Sequence, residues 1–109
     1  MANTIQYDDK EWQILFNMMI KIAPEGVEIT RRFFLALETL QAKRVIRGLN
    51  TFTSKYGINY WNMNTLKAEP ERRVLKSEYL TYLVRDYGVS ADWLLCGTGT
   101  MFNEDKESE

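Results

Sequence analysis

Leu49-Asn-Thr-Phe-Thr-Ser-Lys-Tyr-Gly-Ile-Asn-Tyr-Trp-Asn-Met-Asn-Thr-Leu-Lys67 is the stretch whose reading decides the fold. It divides at Gly57 into two short helices, Leu49–Tyr56 and Tyr60–Lys67. Gly57 can take the positive φ that a tight interhelical turn requires. Ile58 is apolar and plugs the angle between the helices, and Asn59 is a good N-cap for the second one. Phe52 and Tyr56, four apart, and Met63 and Leu66, three apart, each form an inward-facing pair. Two short helices joined in this way are the skeleton of a helix-turn-helix. Tyr60, Trp61, Asn62, Asn64, Thr65 and Lys67 are left on the other faces of the second helix. Asparagine can read the N6/N7 edge of adenine, and threonine or an aromatic ring can touch the thymine methyl.

Upstream, a helix is expected from Asp8 or Asp9 to Ile22. Trp12, Leu15, Phe16, Met19 and Ile20 share one wide apolar face, and Ile14, Met18 and Ile22 add a second side. So apolar a helix either packs in the core or meets a partner. Ala23-Pro24-Glu25-Gly26 reads as a turn. The next helix is expected from Thr30, as N-cap, to about Arg47, stopping at Gly48. Ile29 would staple onto Phe34, and Phe33, Ala36, Leu37 and Leu40 would form its inner face. Downstream, Pro70 prevents the Tyr60 helix from running on. A further helix from the region of Leu75 to Ser77 to Tyr87 would bury Leu80, Leu83, Val84 and Tyr87 and end at Gly88. Ser90 caps a last short helix, Ala91–Leu95. Gly97-Thr98-Gly99 is a loop, and Asn103–Glu109 is an acidic tail expected to be disordered.

The net charge of the 109 residues is −1, but the charge is unevenly placed. From Lys43 to Lys76, eight basic residues (Lys43, Arg44, Arg47, Lys55, Lys67, Arg72, Arg73, Lys76) stand against Glu69 and Glu71, a local +6. The remainder carries −7. A basic middle between acidic ends suits a polyanion-binding face, although solvated helix faces would give the same count.

Composition narrows the chemistry. No histidine is present, which removes the commonest general base and metal ligand. A single cysteine, Cys96, makes neither an internal disulfide nor a zinc site. Gly97-Thr98-Gly99 lacks the lysine and following helix of a phosphate loop. Asp8-Asp9 and the Glu69/Glu71 pair read as a cap and a solvated link. No catalytic residue, metal, cofactor or small-molecule ligand is therefore expected. The apolar run from Ile14 to Ile22 is too short and too polar to span a bilayer, and Met1–Lys10 lacks the features of a secretory signal. A cytoplasmic location is expected.

Asp86-Tyr-Gly-Val-Ser-Ala-Asp-Trp-Leu-Leu-Cys-Gly-Thr-Gly-Thr-Met-Phe102 resembles the C-terminal signature of lambda-repressor-like (Cro/repressor, XRE-type) helix-turn-helix domains. The resemblance covers about residues 29–102 and implies an all-α, five-helix DNA-binding domain, with the Asp8–Ile22 helix as an extra N-terminal element. Residues 1–28 then form a helical extension that packs on the core or on a dimer partner, and 103–109 the tail. Leu49–Tyr56 becomes the scaffold helix and Tyr60–Lys67 the recognition helix. The Ser-Gln pair usual in the family's scaffold helix is absent from Gly48-Leu-Asn-Thr-Phe-Thr53, Lys67 replaces the usual Glu, and Trp61 is unusual.

The implied function is sequence-specific binding of double-stranded DNA by a transcriptional regulator or phage-type repressor. Asn59, Tyr60, Trp61, Asn62, Asn64 and Thr65 would face bases. Lys43, Arg44, Arg47, Lys55, Lys67, Arg72 and Arg73 would face phosphates. A homodimer formed through the N-terminal helix would match paired half-sites. The rival reading is a protein-interaction module on the same fold, using the first helix and Tyr60-Trp61 as anchors.

Overall fold

Pro24 opens the longest helix because a first helical residue needs no N–H partner and proline already holds the required φ. The computed structural model describes residues 8–19 and 22–103, with residues 16–19 as helix backbone only. Six helices follow in order among the described residues: α1 Asp9–Met19, α2 Pro24–Ala42, α3 Leu49–Tyr56, α4 Tyr60–Ala68, α5 Ser77–Tyr87 and α6 Ala91–Cys96. Among the described residues the single extended pairing is an isolated antiparallel bridge between Val89 and Phe102, so the chain is all-α. No described helix is long and apolar enough to cross a membrane.

α2 departs from its expected bounds at both ends. It starts six residues before Thr30, so the segment 23–26 is a helix start rather than a turn, and the expected 28/29 boundary falls inside the helix. Thr30 is buried on the inner face and is not a cap. Ile29, five residues into the helix, cannot be an N′ staple. At the other end α2 stops at Ala42, because Arg44 adopts a left-handed conformation, φ 63°. The Arg44 N–H donates to the Gln41 carbonyl (3.0 Å) and the Val45 N–H to the Leu40 carbonyl (2.9 Å), the Schellman closure. Lys43, Arg44 and Arg47 therefore lie in the α2–α3 connection rather than in the last turns of a helix, and Gly48 begins α3 instead of ending α2.

The core is built where the apolar spacing put it. Phe33, Phe34, Ala36, Leu37 and Leu40 of α2 are buried with Phe52, Met63, Leu66, Leu83, Val89 and Leu94, and Ile46 joins them from the connection. Leu80, Val84, Tyr87, Trp93 and Ile58 pack partly buried against this cluster. Phe33 meets Phe34 and Phe52 edge to face, with ring centroids 5.0 and 5.7 Å apart.

The motif at the C-terminal end closes on itself. Ser90 accepts the N–H of Trp93 as an N-cap (3.3 Å). The chain then returns, so that the Ser90 N–H reaches the Met101 carbonyl (2.8 Å) and the Asn103 N–H the Gly88 carbonyl (2.9 Å). Asn103, the first residue of the expected tail, thus belongs to this clasp instead; residues 104–109 lie outside the described chain. Arg32 of α2 donates to the carbonyls of Leu94 (Nε, 2.9 Å) and Leu95 (3.1 Å), which satisfies the open end of α6. A Cβ on Gly97 would come within 3.2 Å of this guanidinium, so the loop needs glycine there for approach as well as for its φ of 75°.

α1 does not behave as a core helix where it is described. Trp12 is 55% and Ile14 52% exposed. Ile20, and the side chains of Phe16, Met18 and Met19 expected on its apolar faces, lie outside the described residues.

Candidate nucleic-acid interface

α3 spans the expected Leu49–Tyr56, and α4 starts at the expected Tyr60 and ends at Ala68, one residue past Lys67. Gly57 has φ 66° and ψ 33°, and the Ile58 N–H donates to the Thr53 carbonyl (2.8 Å) to close α3. Thr53 and Phe52 are buried on the inner side of α3, and Met63 and Leu66 on that of α4. The Asn59 side chain accepts the Asn62 N–H (2.9 Å) and starts α4. A tyrosine clamp ties this unit to α5. The Tyr56 ring stacks on Tyr82 (4.0 Å, 2°), and its hydroxyl donates to Asp86 (2.6 Å), whose carboxylate also takes two bonds from Arg85 (both 2.8 Å). Those bonds, from Arg85 first and then Tyr56, hold the Asp86 carboxyl well below the usual range. Burial, followed by the bond to Asp86, raises the Tyr56 hydroxyl.

The six residues expected to face bases lie on α4 or at its cap, and the structure sorts them. Trp61 is 74% exposed and Tyr60 38%, their rings meeting edge to face at 5.6 Å. Asn62 is exposed. Asn59, by contrast, spends its side-chain oxygen on the cap. Asn64 donates its amide to the Tyr60 carbonyl (3.3 Å), and Thr65 donates its hydroxyl to the Trp61 carbonyl (2.9 Å). Both fold back along their own helix, a habit of short polar side chains that sequence spacing does not reveal.

The expected phosphate set does not form one cluster. Lys43 sits over the Phe102 ring (4.1 Å), and Lys55 near the Tyr87 ring (5.1 Å). Lys67 leans onto α2, 3.3 Å from Glu38. Arg73 pairs with Glu69 (3.6 Å) across a half-exposed contact of the kind worth little in water. Arg44, Arg47 and Arg72 are exposed. Arg73 and Lys76 line a cleft of about 360 Å³ together with Asn59, the cap of α4, Asn62 of α4 and Tyr79 of α5. Lys76, part of the basic run but with no expected contact, stands at the start of α5, where the sequence places a helix start; the cleft it shares with α4 is a tertiary feature that spacing does not reveal. Among the described residues no group of three His, Cys, Asp or Glu side chains could hold a metal ion. Compared with family models, with curated proteins and with solved structures, the chain gives no match.

Proposed function

We propose that this chain binds duplex DNA sequence-specifically, as a transcriptional regulator of the phage-repressor kind on a lambda-repressor-like helix-turn-helix fold, with α4 in the major groove. One observation carries the reading. The inner side of α3–Gly57–α4 is locked into the core, while the first turn of α4 holds Tyr60, Trp61 and Asn62 outward, and Asn62 shares a cleft with Arg73 and Lys76. In that docking geometry the N-terminal residues of the second helix reach base edges and flanking cations hold phosphates. The exposed Trp12 and Ile14 of α1 favour a dimer, whose two α4 helices would address half-sites about 34 Å apart.

Fluorescence anisotropy of labelled random-sequence duplex DNA at two salt concentrations tests the proposal. Affinity should fall steeply with salt as cations on the protein release counterions from the phosphates. Absence of binding at low salt would sink the DNA reading. It would favour the second one, a protein-interaction module anchored on the exposed aromatic residues Trp12 and Trp61.

A further inference from the structure

We infer that Trp61 is a specificity-determining residue that reads the 5-methyl group of thymine, so that the preferred sites of this protein are rich in A·T pairs. The inference rests on the duplex-DNA reading and deepens it. Of the side chains that α4 and its cap offer, three are already committed within the helix. The Asn59 oxygen caps the Asn62 N–H, the Asn64 amide is held by the Tyr60 carbonyl, and the Thr65 hydroxyl by the Trp61 carbonyl. The Asn62 side chain makes no hydrogen bond among the described residues and remains free to read an edge. Next to it, the Trp61 indole is the largest apolar surface on α4 left to solvent. Tyr60, 5.6 Å away and edge-on, limits where that ring can swing.

An apolar ring has few complements in the major groove. Every base edge there presents hydrogen-bond donors or acceptors, and the thymine methyl is the apolar group among them. Asn62, one residue on, has the donor–acceptor pair that matches adenine N6/N7. Neighbouring residues on the first turn therefore ask for the two partners of one kind of base pair. No arginine lies on α4 to pair with guanine, since its single cation, Lys67, sits in the last turn and leans onto Glu38.

The test compares an alternating dA-dT duplex with the same duplex carrying deoxyuridine for thymidine, which removes the methyl and leaves pairing intact. The wild-type protein should bind the methylated duplex more tightly, by roughly fourfold for each methyl it contacts. Trp61→Ala should bind both duplexes equally and keep the salt dependence of the wild type, and Trp61→Phe should retain part of the preference. Circular dichroism of the variants, at an exposed position, should be unchanged. Equal wild-type affinity for the two duplexes would overturn the inference while leaving the DNA reading intact. So would a preference that persists in Trp61→Ala, which would belong to the DNA. Failure to bind either duplex at low salt would remove the DNA reading and this inference with it.

Discussion

The ends of α2 and α3 are the same device built from opposite materials. Each closes with a left-handed residue followed by an apolar one, and each returns the same pair of backbone bonds. α3 does so with Gly57 at φ 66°, α2 with Arg44 at φ 63°. Glycine takes that conformation without cost, whereas a side chain there meets its own backbone. The closure that obeys the steric rule belongs to the helix that scaffolds the candidate interface. The one that breaks it places an exposed arginine in the connection that leads into α3.

Putting a β-branched residue at the obedient end is the harshest way to break the comparison. Gly57→Val should destabilise the fold by about 2 kcal/mol, because valine in the left-handed region is strained even where space is open. A chemical-denaturation midpoint would measure it. A valine variant as stable as the wild type would mean that the turn relaxes into another conformation.

The α3 end has a second anchor in the Tyr56–Asp86–Arg85 group. Because the Asp86 value is lowered on folding, its contribution is fully present above the ordinary carboxylate range and is lost as pH falls below about 4. Because the Tyr56 value is raised, its contribution is present below about 10 and is lost as pH climbs past that. Thermal melts across pH should show both limbs. Tyr56→Phe should abolish the alkaline limb but only part of the acid one, since Arg85 is the larger cause of the Asp86 shift. With no histidine in the chain, stability between pH 5 and 8 should be nearly flat.

At the start of α4 the effect is smaller. Asn59→Ala removes the cap on the Asn62 N–H and should cost about 1 kcal/mol. Since this side chain is committed to the cap, the same variant should leave base preference unchanged, whereas Asn62→Ala should relax it. A loss of discrimination from Asn59→Ala at full stability would reverse the two roles.

What the sequence allowed to be read divides along the same line. The unit from Leu49 to Lys67 was legible because each residue follows its local preference: Gly57 at the positive φ, Asn59 at the cap, Phe52, Met63 and Leu66 at core spacing. Ser90 and the inner face of α2 were legible for the same reason. The bounds of α2 were not. Thr30 has a capping residue's chemistry but sits on the buried stripe, and Pro24 looks like a turn residue until it stands at the first helical position. An arginine in the left-handed region leaves no mark in a sequence, so the pattern alone carries the helix on to Gly48 although it ends at Ala42. Within the site, spacing identified the faces of α4 correctly but could not say that Asn64 and Thr65 turn back on the helix. Arg32, which holds α6 to α2, carries no signal in the sequence that sets it apart from a surface cation.

Arg44 gives the gentlest test and the one with two readouts. If its conformation is imposed by the closure of α2, Arg44→Gly relieves the strain and should raise stability by about 0.5–1 kcal/mol. The same substitution deletes an exposed cation from the connection between α2 and α3. Should that cation hold a phosphate, affinity for all duplex sequences falls together, and the slope of log affinity against log salt decreases by about one unit. Stability and binding would then move in opposite directions from one change, which is the signature of strain retained at a functional position. A variant that is more stable and binds as before would make Arg44 a mere oddity of helix closure, and the phosphate contacts would have to be sought at Arg73 and Lys76 beside the first turn of α4.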